Sequence, residues 1–311
     1  MNFIKNEFYI LCMFFISMVL SSCEKSVNIK LPFDGHKMVL NSIITNDSLV
    51  YAHITRNEPN ESNVNFFYEL ENCKVDLYEN DVFKETLALK MINGKKYYVS
   101  DHKAKSANKY TIKAALTNES LVKDLPNVEG SDVIPVKPSF EPLEFWQSAS
   151  TQNNQNRHKL TLKLKDPGGI KNYYRLRVFS ANYNNSTRRY TINKNNEQYF
   201  TIDNFKDQNS IFGAFDEDGY GVNYFTDETF DGQEITLTLT LNRLYNNQGF
   251  IAPELVSMSR SAYLYFDSKK KQSDNEDNPF TEAVVVYNNI QNGYGIVGGI
   301  ADSLAVIKRR D

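Results

Sequence analysis

The first residues with recognisable chemistry stand at positions 20–23, which read Leu-Ser-Ser-Cys. A thiol that follows small side chains is the acceptor for diacylglycerol in bacterial lipoprotein maturation. Lys5 gives the chain a positive start, and residues 8–20 form an apolar stretch of signal-peptide length, shorter than the ~20 residues of a spanning helix. The pattern predicts a lipoprotein signal peptide over residues 1–22 and a lipid on Cys23. The alternatives are a cleaved signal followed by an incidental free cysteine, and an uncleaved anchor helix.

Acidic side chains offer the hard oxygen ligands that calcium prefers. Asp216 and Asp218 are the candidate ligands, and Asp227, Glu228 and Asp231 lie close enough in the sequence to converge on them. The spacing lacks the alternating positions and the distal glutamate of an EF-hand loop. We therefore prefer a solvated turn to a metal site and predict no cofactor other than the lipid.

Aromatic side chains are concentrated in an Asn-rich stretch between residues 183 and 199. Tyr183, Tyr190 and Tyr199 present rings that can stack on sugars. The same rings can instead pack across a β-hairpin, which is the more common use of such residues. Both interpretations stay open at the level of sequence.

Catalytic motifs are missing from the sequence. There is no Gly-x-Ser-x-Gly elbow, no His-Glu-x-x-His pair and no Cys-x-x-Cys pair, and the four histidines are scattered. After signal cleavage and lipidation of Cys23, Cys73 is the one thiol left, and its alternation with Val75 and Leu77 predicts a packed position in a strand. We expect a protein that is not an enzyme, with a hydrolase as the less favoured alternative, since carboxylate pairs set by the fold leave no motif.

The composition excludes one class of partner. The formal net charge is −3, and the Lys/Arg runs, such as the one at 269–271, are short and local. Nucleic-acid binding needs a basic stripe or face. We therefore expect no nucleic-acid partner.

The organisation of the chain is predicted to be mainly β. A tether over 23–36 leads into period-two patterns such as Val50, Ala52 and Ile54, which indicate half-buried strands. These patterns predict an immunoglobulin-like or transthyretin-like sandwich over 37–135. Prolines at 135, 138 and 142 then predict a stiff crossing.

A second, larger antiparallel β domain is predicted over 143–311. Its clearest strand alternates Leu and Thr at 235–241, and Asp-Pro-Gly-Gly at 166–169 predicts a turn. One helix near 253–271 interrupts the strands, because Pro253 suits a first helical turn and apolar residues recur at helical spacing from Leu255 to Phe266. This helix is expected to cover a face of the sheet.

Several phrases together carry a family resemblance. These are the Leu-Ser-Ser-Cys junction, Phe-Asp-Gly at 230–232, Asn-Pro-Phe at 278–280 and the block Asn-Ile-Gln-Asn-Gly-Tyr-Gly-Ile-Val-Gly-Gly at 289–299. The chain resembles the Bacteroidota lipoproteins of the domain-of-unknown-function family 4249 over essentially its whole mature length. The resemblance implies an outer-membrane lipoprotein that accompanies a TonB-dependent receptor, and it supplies no catalytic residue.

The glycines of the 289–299 block have an explanation without a ligand. They permit close backbone approach, and the Asn side chains can close turns. We therefore predict a loop that locks the last strand, in preference to a phosphate cradle, which needs a helix after the loop.

The expected function follows from these points. The chain is predicted to be a lipid-anchored protein of the outer membrane, on a face that the sequence does not fix, acting as a non-enzymatic accessory or ligand-capture module beside a TonB-dependent transporter. The alternative is a glycan-binding adhesin or a structural envelope component, motivated by the three tyrosines.

Overall fold

The computed structural model describes residues 33, 35–58, 68–117, 125–148, 157–203, 223–241, 249–275 and 284–310. Cys23 and most of the tether lie outside this part of the chain. Among the described residues, no helix is long and apolar enough to span a bilayer. The strands and the helix have these bounds: β1 (Met38–Thr45), β2 (Leu49–Arg56), β3 (Tyr68–Glu69), β4 (Cys73–Glu79), β5 (Val82–Thr86), β6 (Ala88–Ile92), β7 (Lys95–Lys103), β8 (Lys109–Leu116), β9 (Val128–Val133), β10 (Ser139–Ser148), β11 (Arg157–Lys165), β12 (Tyr173–Asn184), β13 (Arg189–Glu197), β14 (Phe200–Ile202), β15 (Asn223–Thr226), β16 (Glu234–Leu241), β17 (Phe250–Met258), α1 (Arg260–Asn275), β18 (Tyr294–Leu304) and β19 (Ile307–Lys308).

The mainly β fold class is confirmed, and the described part of the chain contains one helix, which covers a face of the large sheet. Strands form where apolar residues alternate with polar ones, as in β2, where Val50 and Ala52 are fully buried. The Leu/Thr alternation predicted at 235–241 is β16. Period-two alternation therefore located β2 and β16, because each of these strands buries its apolar face.

The strands form three sheets. An 11-stranded sheet runs in the order β13-β12-β17-β18-β1-β2-β7-β6, with β15, β19 and β3 paired beside it. A four-stranded sheet has the order β5-β4-β8-β9, and another has the order β10-β11-β16-β14. We call them the large sheet, the first small sheet and the second small sheet.

Both small sheets cover the same face of the large sheet. Ser257 of β17 is opposite Ala301 of β18, and Leu255 is opposite Ser303. The side chains of two directly opposed residues in an antiparallel pair of strands point to the same face of the sheet. Ala301 belongs to the core beneath the first small sheet, whereas Leu255 belongs to the core beneath the second. The two cores therefore lie side by side on this face.

The helix covers the opposite face, and its predicted start at Pro253 is wrong. Residues 253–258 belong to β17, which is buried along nearly its whole length between β12 and β18. Proline has no backbone N–H to donate to a neighbouring strand. Pro253 is tolerated because β18 and β19 leave it unpaired on their side of β17: β18 pairs only from Glu254 onward, and β19 pairs only with residues 250 and 251. The helix begins after Ser259, whose Oγ accepts a hydrogen bond from the backbone N–H of Ala262 at 3.1 Å.

The assignment of β18 to the second predicted domain, residues 143–311, is also corrected. β18 pairs in parallel with β1, and Val297 and Ala301 of β18 lie in the first core. The described residues from His36 onward belong to one compact unit. Parallel pairing of strands so distant in sequence has no local signal, because it depends on the crossover between them.

The 289–299 block locks β18, the last long strand, which is the structural role predicted for it. The side-chain amide of Asn289 donates to the carbonyl of Val297 at 2.8 Å, and its Oδ1 accepts from the N–H of Val297 at 2.9 Å. A side chain at Gly295 would place Cβ 2.1 Å from the carbonyl oxygen of Leu40. The glycine is therefore required by the close approach of β1 and β18.

Candidate binding cleft

A cleft of about 630 Å³ opens between the two small sheets. Ser257 of the large sheet contributes to its lining. One wall is the crossing segment 133–139, which joins β9 to β10, and the other is the turn segment 165–174, which joins β11 to β12. The volume falls within the ~300–1,000 Å³ range of small-molecule sites. We call this site the inter-sheet cleft.

The crossing segment is held at both ends. The N–H of Ile134 donates to the carbonyl of Asn108 at 3.0 Å, and the carbonyl of Pro138 accepts from the hydroxyl of Ser303 at 2.8 Å. Between these points Val136 is 64% exposed. The stiff crossing that the prolines predict thus presents an apolar side chain at the mouth of the cleft.

The turn segment is held by a buried carboxylate. Asp166 accepts a hydrogen bond from the hydroxyl of Tyr174 at 2.6 Å and another from the N–H of Gly232 at 2.9 Å. Burial raises the pKa of Tyr174, and the neighbouring Asp166 raises it further, so the phenol keeps its proton. Ile170, at the tip of the turn, is 68% exposed and contributes the second apolar side chain at the cleft mouth.

Three carboxylates meet behind this turn. One oxygen each from Asp166, Asp227 and Asp231 lie within 4.8 Å of one another, which makes these the described residues that can hold a cation together. Each also accepts a hydrogen bond: Asp227 from the N–H of Asn172 at 2.7 Å, and Asp231 from the N–H of Gly169 at 2.9 Å. The cluster therefore shapes the turn through backbone hydrogen bonds, whether or not an ion is bound.

The electrostatics of the cluster follow from burial. Burial raises the pKa of Asp227, and the charge of Asp166 adds to this, against the hydrogen bonds from Asn172. Glu228 does not join the cluster, since its carboxylate pairs with the ammonium of Lys171. Of the predicted calcium ligands, Asp227 and Asp231 do converge, with Asp166 as an unforeseen third member, while Asp216 and Asp218 lie outside the described residues.

The three tyrosines predicted to stack on sugars lie in two different places. Tyr183 and Tyr190 are opposite each other in the β12–β13 hairpin, with ring centroids 4.9 Å apart, and Phe250 lies 5.5 Å from Tyr190. Tyr199 follows β13, next to Gln198, whose N–H donates to the carbonyl of Val178. Val178 and Tyr183 are separated by roughly 16 Å along β12. Hairpin packing thus accounts for the first two rings, and Tyr199 lies elsewhere.

The lining of the cleft is suited to binding. Its polar side chains include Asp166 and Tyr174, which are hydrogen-bonded to each other, and the described residues that line it include no cysteine or histidine. Cys73 lies away from the cleft, packed against the first core as predicted, and burial raises the pKa of its thiol to about 11. A protonated thiol is a poor nucleophile.

The sequence indicates the two connecting segments of the cleft but not that they lie close together. The prolines of the crossing segment and the turn at 166–169 predict connectors and nothing more. The available signal in the sequence was an apolar residue within each connecting segment, Val136 between two prolines and Ile170 after two glycines. Their proximity depends on the two small sheets sharing one face of the large sheet, which no local pattern encodes.

Comparison with known proteins identifies the family. A family model described as domain of unknown function (DUF4249) matches residues 24–303, so the chain belongs to this family. No curated protein matches the sequence. A solved structure described as a putative membrane anchored protein from Corynebacterium diphtheriae is similar at 12% identity and a TM-score of 0.20, over 84% of this chain and 59% of that one. The chain thus spans about three fifths of that protein, and a TM-score this low supports no argument about fold or function.

Proposed function

We propose that this protein is a lipid-anchored, non-enzymatic ligand-capture module of the cell envelope, and that it binds a small ligand with an apolar body in the inter-sheet cleft. The observation that carries the proposal is the cleft itself, with Val136 and Ile170 exposed on its opposite walls. Apolar surface that is held open at the mouth of a concave site is retained where a ligand covers it. The hydrogen-bonded crossing and turn segments keep the cleft formed before the ligand arrives.

The place of action in this proposal is the outer membrane. Cys23 carries the lipid, and the family match begins at residue 24, directly after it. A captured ligand held at the membrane can be passed to a transporter there. We propose a TonB-dependent receptor as that partner, on the strength of the family resemblance.

Ligand capture is tested on the full-length, detergent-solubilised protein. Native mass spectrometry of protein purified from its own membranes is expected to show a bound small molecule. Val136→Asp and Ile170→Asp place a charge on opposite walls and are expected to abolish that bound mass. Val285→Asp is the matched control, because Val285 is 87% exposed and does not line the cleft. Loss of the bound mass in all three variants, or its retention in the two cleft variants, would contradict capture in this cleft.

Anchoring and partnership are tested separately. Cys23→Ser is expected to move the protein from the membrane fraction to the soluble fraction and to abolish incorporation of labelled palmitate. The intact protein is expected to copurify with an outer-membrane transporter from solubilised membranes. Recovery with no transporter at all would refute the partnership and leave ligand capture standing.

A further inference from the structure

The inter-sheet cleft changes in chemistry from its rim to its floor. Val136 and Ile170 are exposed and lie at the rim. Ser257, Tyr174 and Asp166 are buried and form the floor. The floor therefore determines which chemical group of a ligand can lie innermost, and the rim contacts the outer part of the ligand.

The side chain of Ser257 points toward the cleft. Ser257 is directly opposite Ala301 of β18 on one side and directly opposite Tyr174 of β12 on the other. Ala301 belongs to the first core and Tyr174 to the second. Because directly opposed residues share a face of the sheet, the Ser257 hydroxyl faces the gap between the two small sheets, where the cleft lies.

The hydroxyl of Ser257 has no hydrogen-bond partner in the described part of the chain, although the residue is only 8% exposed. Ser100, which is also buried, shows the usual arrangement: its Oγ accepts from the N–H of Val50 at 2.8 Å and donates to the carbonyl of His102 at 2.7 Å. The Ser257 hydroxyl therefore offers one donor and one acceptor to a ligand at the floor of the cleft.

The floor disfavours a charged group. Both oxygens of Asp166 already accept hydrogen bonds, from Tyr174 and from Gly232. Tyr174 is directly opposite Ser257, so this carboxylate lies about one tyrosine side chain away from the free hydroxyl. A second anion there would face a buried negative charge. An ammonium group would bring three donors to a floor whose free acceptor is one hydroxyl, so donors would stay unpaired.

The lysines of the rim have less influence than the floor. Lys137 pairs with Asp47 at 2.8 Å in solvent, and Lys165 is exposed. An ion pair in solvent changes affinity by about fivefold or less. A buried hydrogen-bonding group that is left without a partner weakens binding by about five- to hundredfold. The free hydroxyl at the floor therefore decides which end of a ligand enters first.

We propose that the ligand of the inter-sheet cleft is a neutral amphiphile. Its hydroxyl or carbonyl group lies innermost and is hydrogen-bonded to Ser257, and its apolar body lies between Val136 and Ile170. This inference rests on the proposed function, ligand capture in the same cleft, and adds the chemical class and the orientation of the ligand. Alcohols with an aliphatic body are the simplest molecules of this class.

Three ligands with the same apolar chain test the chemical class. Equilibrium dialysis of the full-length protein in lipid nanodiscs, with empty nanodiscs as the blank, measures the binding of radiolabelled 1-octanol, octanoate and octylammonium. Octanol is expected to bind at least about tenfold more tightly than either ion, because burial of an unpaired charge costs more than burial of a hydroxyl that has a partner. Octanoate or octylammonium that binds as tightly as octanol would overturn the proposal, as would the absence of octanol binding. This comparison uses the parent chain and so does not depend on the folding of a variant.

Variants assign the preference to the floor of the cleft. Ser257→Ala removes one oxygen atom and is expected to weaken octanol binding about fivefold. Ser139→Ala is the matched control, because Ser139 also lines the cleft but is exposed, and it is expected to leave octanol binding unchanged. Equal octanol affinity of Ser257→Ala and the parent chain would contradict the hydrogen bond at the floor.

Val136→Asp separates this inference from the proposed function. Octanol binding that is lost in Val136→Asp but unchanged in Ser257→Ala would overturn this inference alone and leave ligand capture standing. Octanol binding that is the same in Val136→Asp and in the parent chain would contradict capture in the cleft itself, and with it this inference.

Discussion

The phenolic hydroxyl of Tyr174 donates a hydrogen bond to Oδ1 of Asp166, 2.6 Å away. This bond connects the first residues of β12 to the residue that follows β11. Both side chains are almost fully buried, and the pair forms part of the lining of the inter-sheet cleft. The same carboxylate accepts from the N–H of Gly232. One buried acid thus holds the turn that carries Ile170.

Removing the Tyr174 hydroxyl is expected to destabilise the fold. Tyr174→Phe keeps the ring but leaves one oxygen of the buried Asp166 without its donor, at a cost of about 1–3 kcal/mol in the free energy of unfolding. Urea denaturation measures this loss. Tyr190→Phe is the control, because Tyr190 is 47% exposed, and it is expected to change stability by less than about 0.5 kcal/mol. Equal stability of both variants would show that the Tyr174–Asp166 bond contributes nothing.

The packing of β18 against β1 gives a second prediction. Gly295→Ala places a methyl group 2.1 Å from the carbonyl oxygen of Leu40, at a φ of +115°. Gly94→Ala also introduces Cβ at a positive φ, of +76°, but nothing lies within 4 Å of it. We expect Gly94→Ala to cost about 1–2 kcal/mol from backbone strain alone.

Gly295→Ala adds steric overlap to that strain, and we expect it to lower the unfolding free energy by at least about 1–3 kcal/mol more than Gly94→Ala does. Thermal unfolding monitored by circular dichroism compares the two variants. Matching melting temperatures would mean that β18 can shift away from β1 at no cost.

The limits of sequence reasoning are visible in these same residues. The alternation of β2 and of β16 revealed strands, because burial of one face is written into neighbouring residues. The start of the helix was misplaced, because Pro253 suits a first helical turn as well as a position in β17 that pairs with β12 but with neither β18 nor β19. Burial between two neighbouring strands decided between these possibilities, and that burial depends on distant segments.

Residues that converge from distant segments were the hardest to foresee. Asp227 and Asp231 are neighbours in sequence, but Asp166 reaches them only through the β11–β12 turn. A pocket lined by Glu144, Trp146, Gln147, Arg309 and Arg310 likewise joins β10 to residues that follow β19. Neither arrangement has a spacing signature, because each is created by strand pairing rather than by local sequence.

A buried charge network on the helix-bearing face of the large sheet gives a third prediction. Glu254 has no exposed side-chain surface, and its carboxylate accepts from Nε of Arg177 at 2.6 Å and from Lys194 at 2.8 Å. Arg177→Ala leaves a buried carboxylate short of its main partner and is expected to cost about 3–5 kcal/mol. Lys194 is 55% exposed, so Lys194→Ala is expected to cost no more than about 1 kcal/mol. Chemical denaturation of both variants checks the ranking, which a similar loss in each would contradict.

The pH dependence of stability is expected to depend on Glu79. Its pKa falls from 4.5 to about 2, chiefly because Lys84 donates to it, with Tyr110 and Asn108 adding hydrogen bonds. A carboxyl group whose pKa is lower in the folded chain stabilises the fold above its unfolded pKa, and this stability is lost as pH falls from 4.5 toward 2. Glu79→Gln should therefore be less stable than the parent chain at pH 7 and should converge with it near pH 2, as followed by urea denaturation across pH. Asp101→Asn, at a side chain that is 79% exposed, should run parallel to the parent; a constant difference for Glu79→Gln at every pH would exclude this linkage.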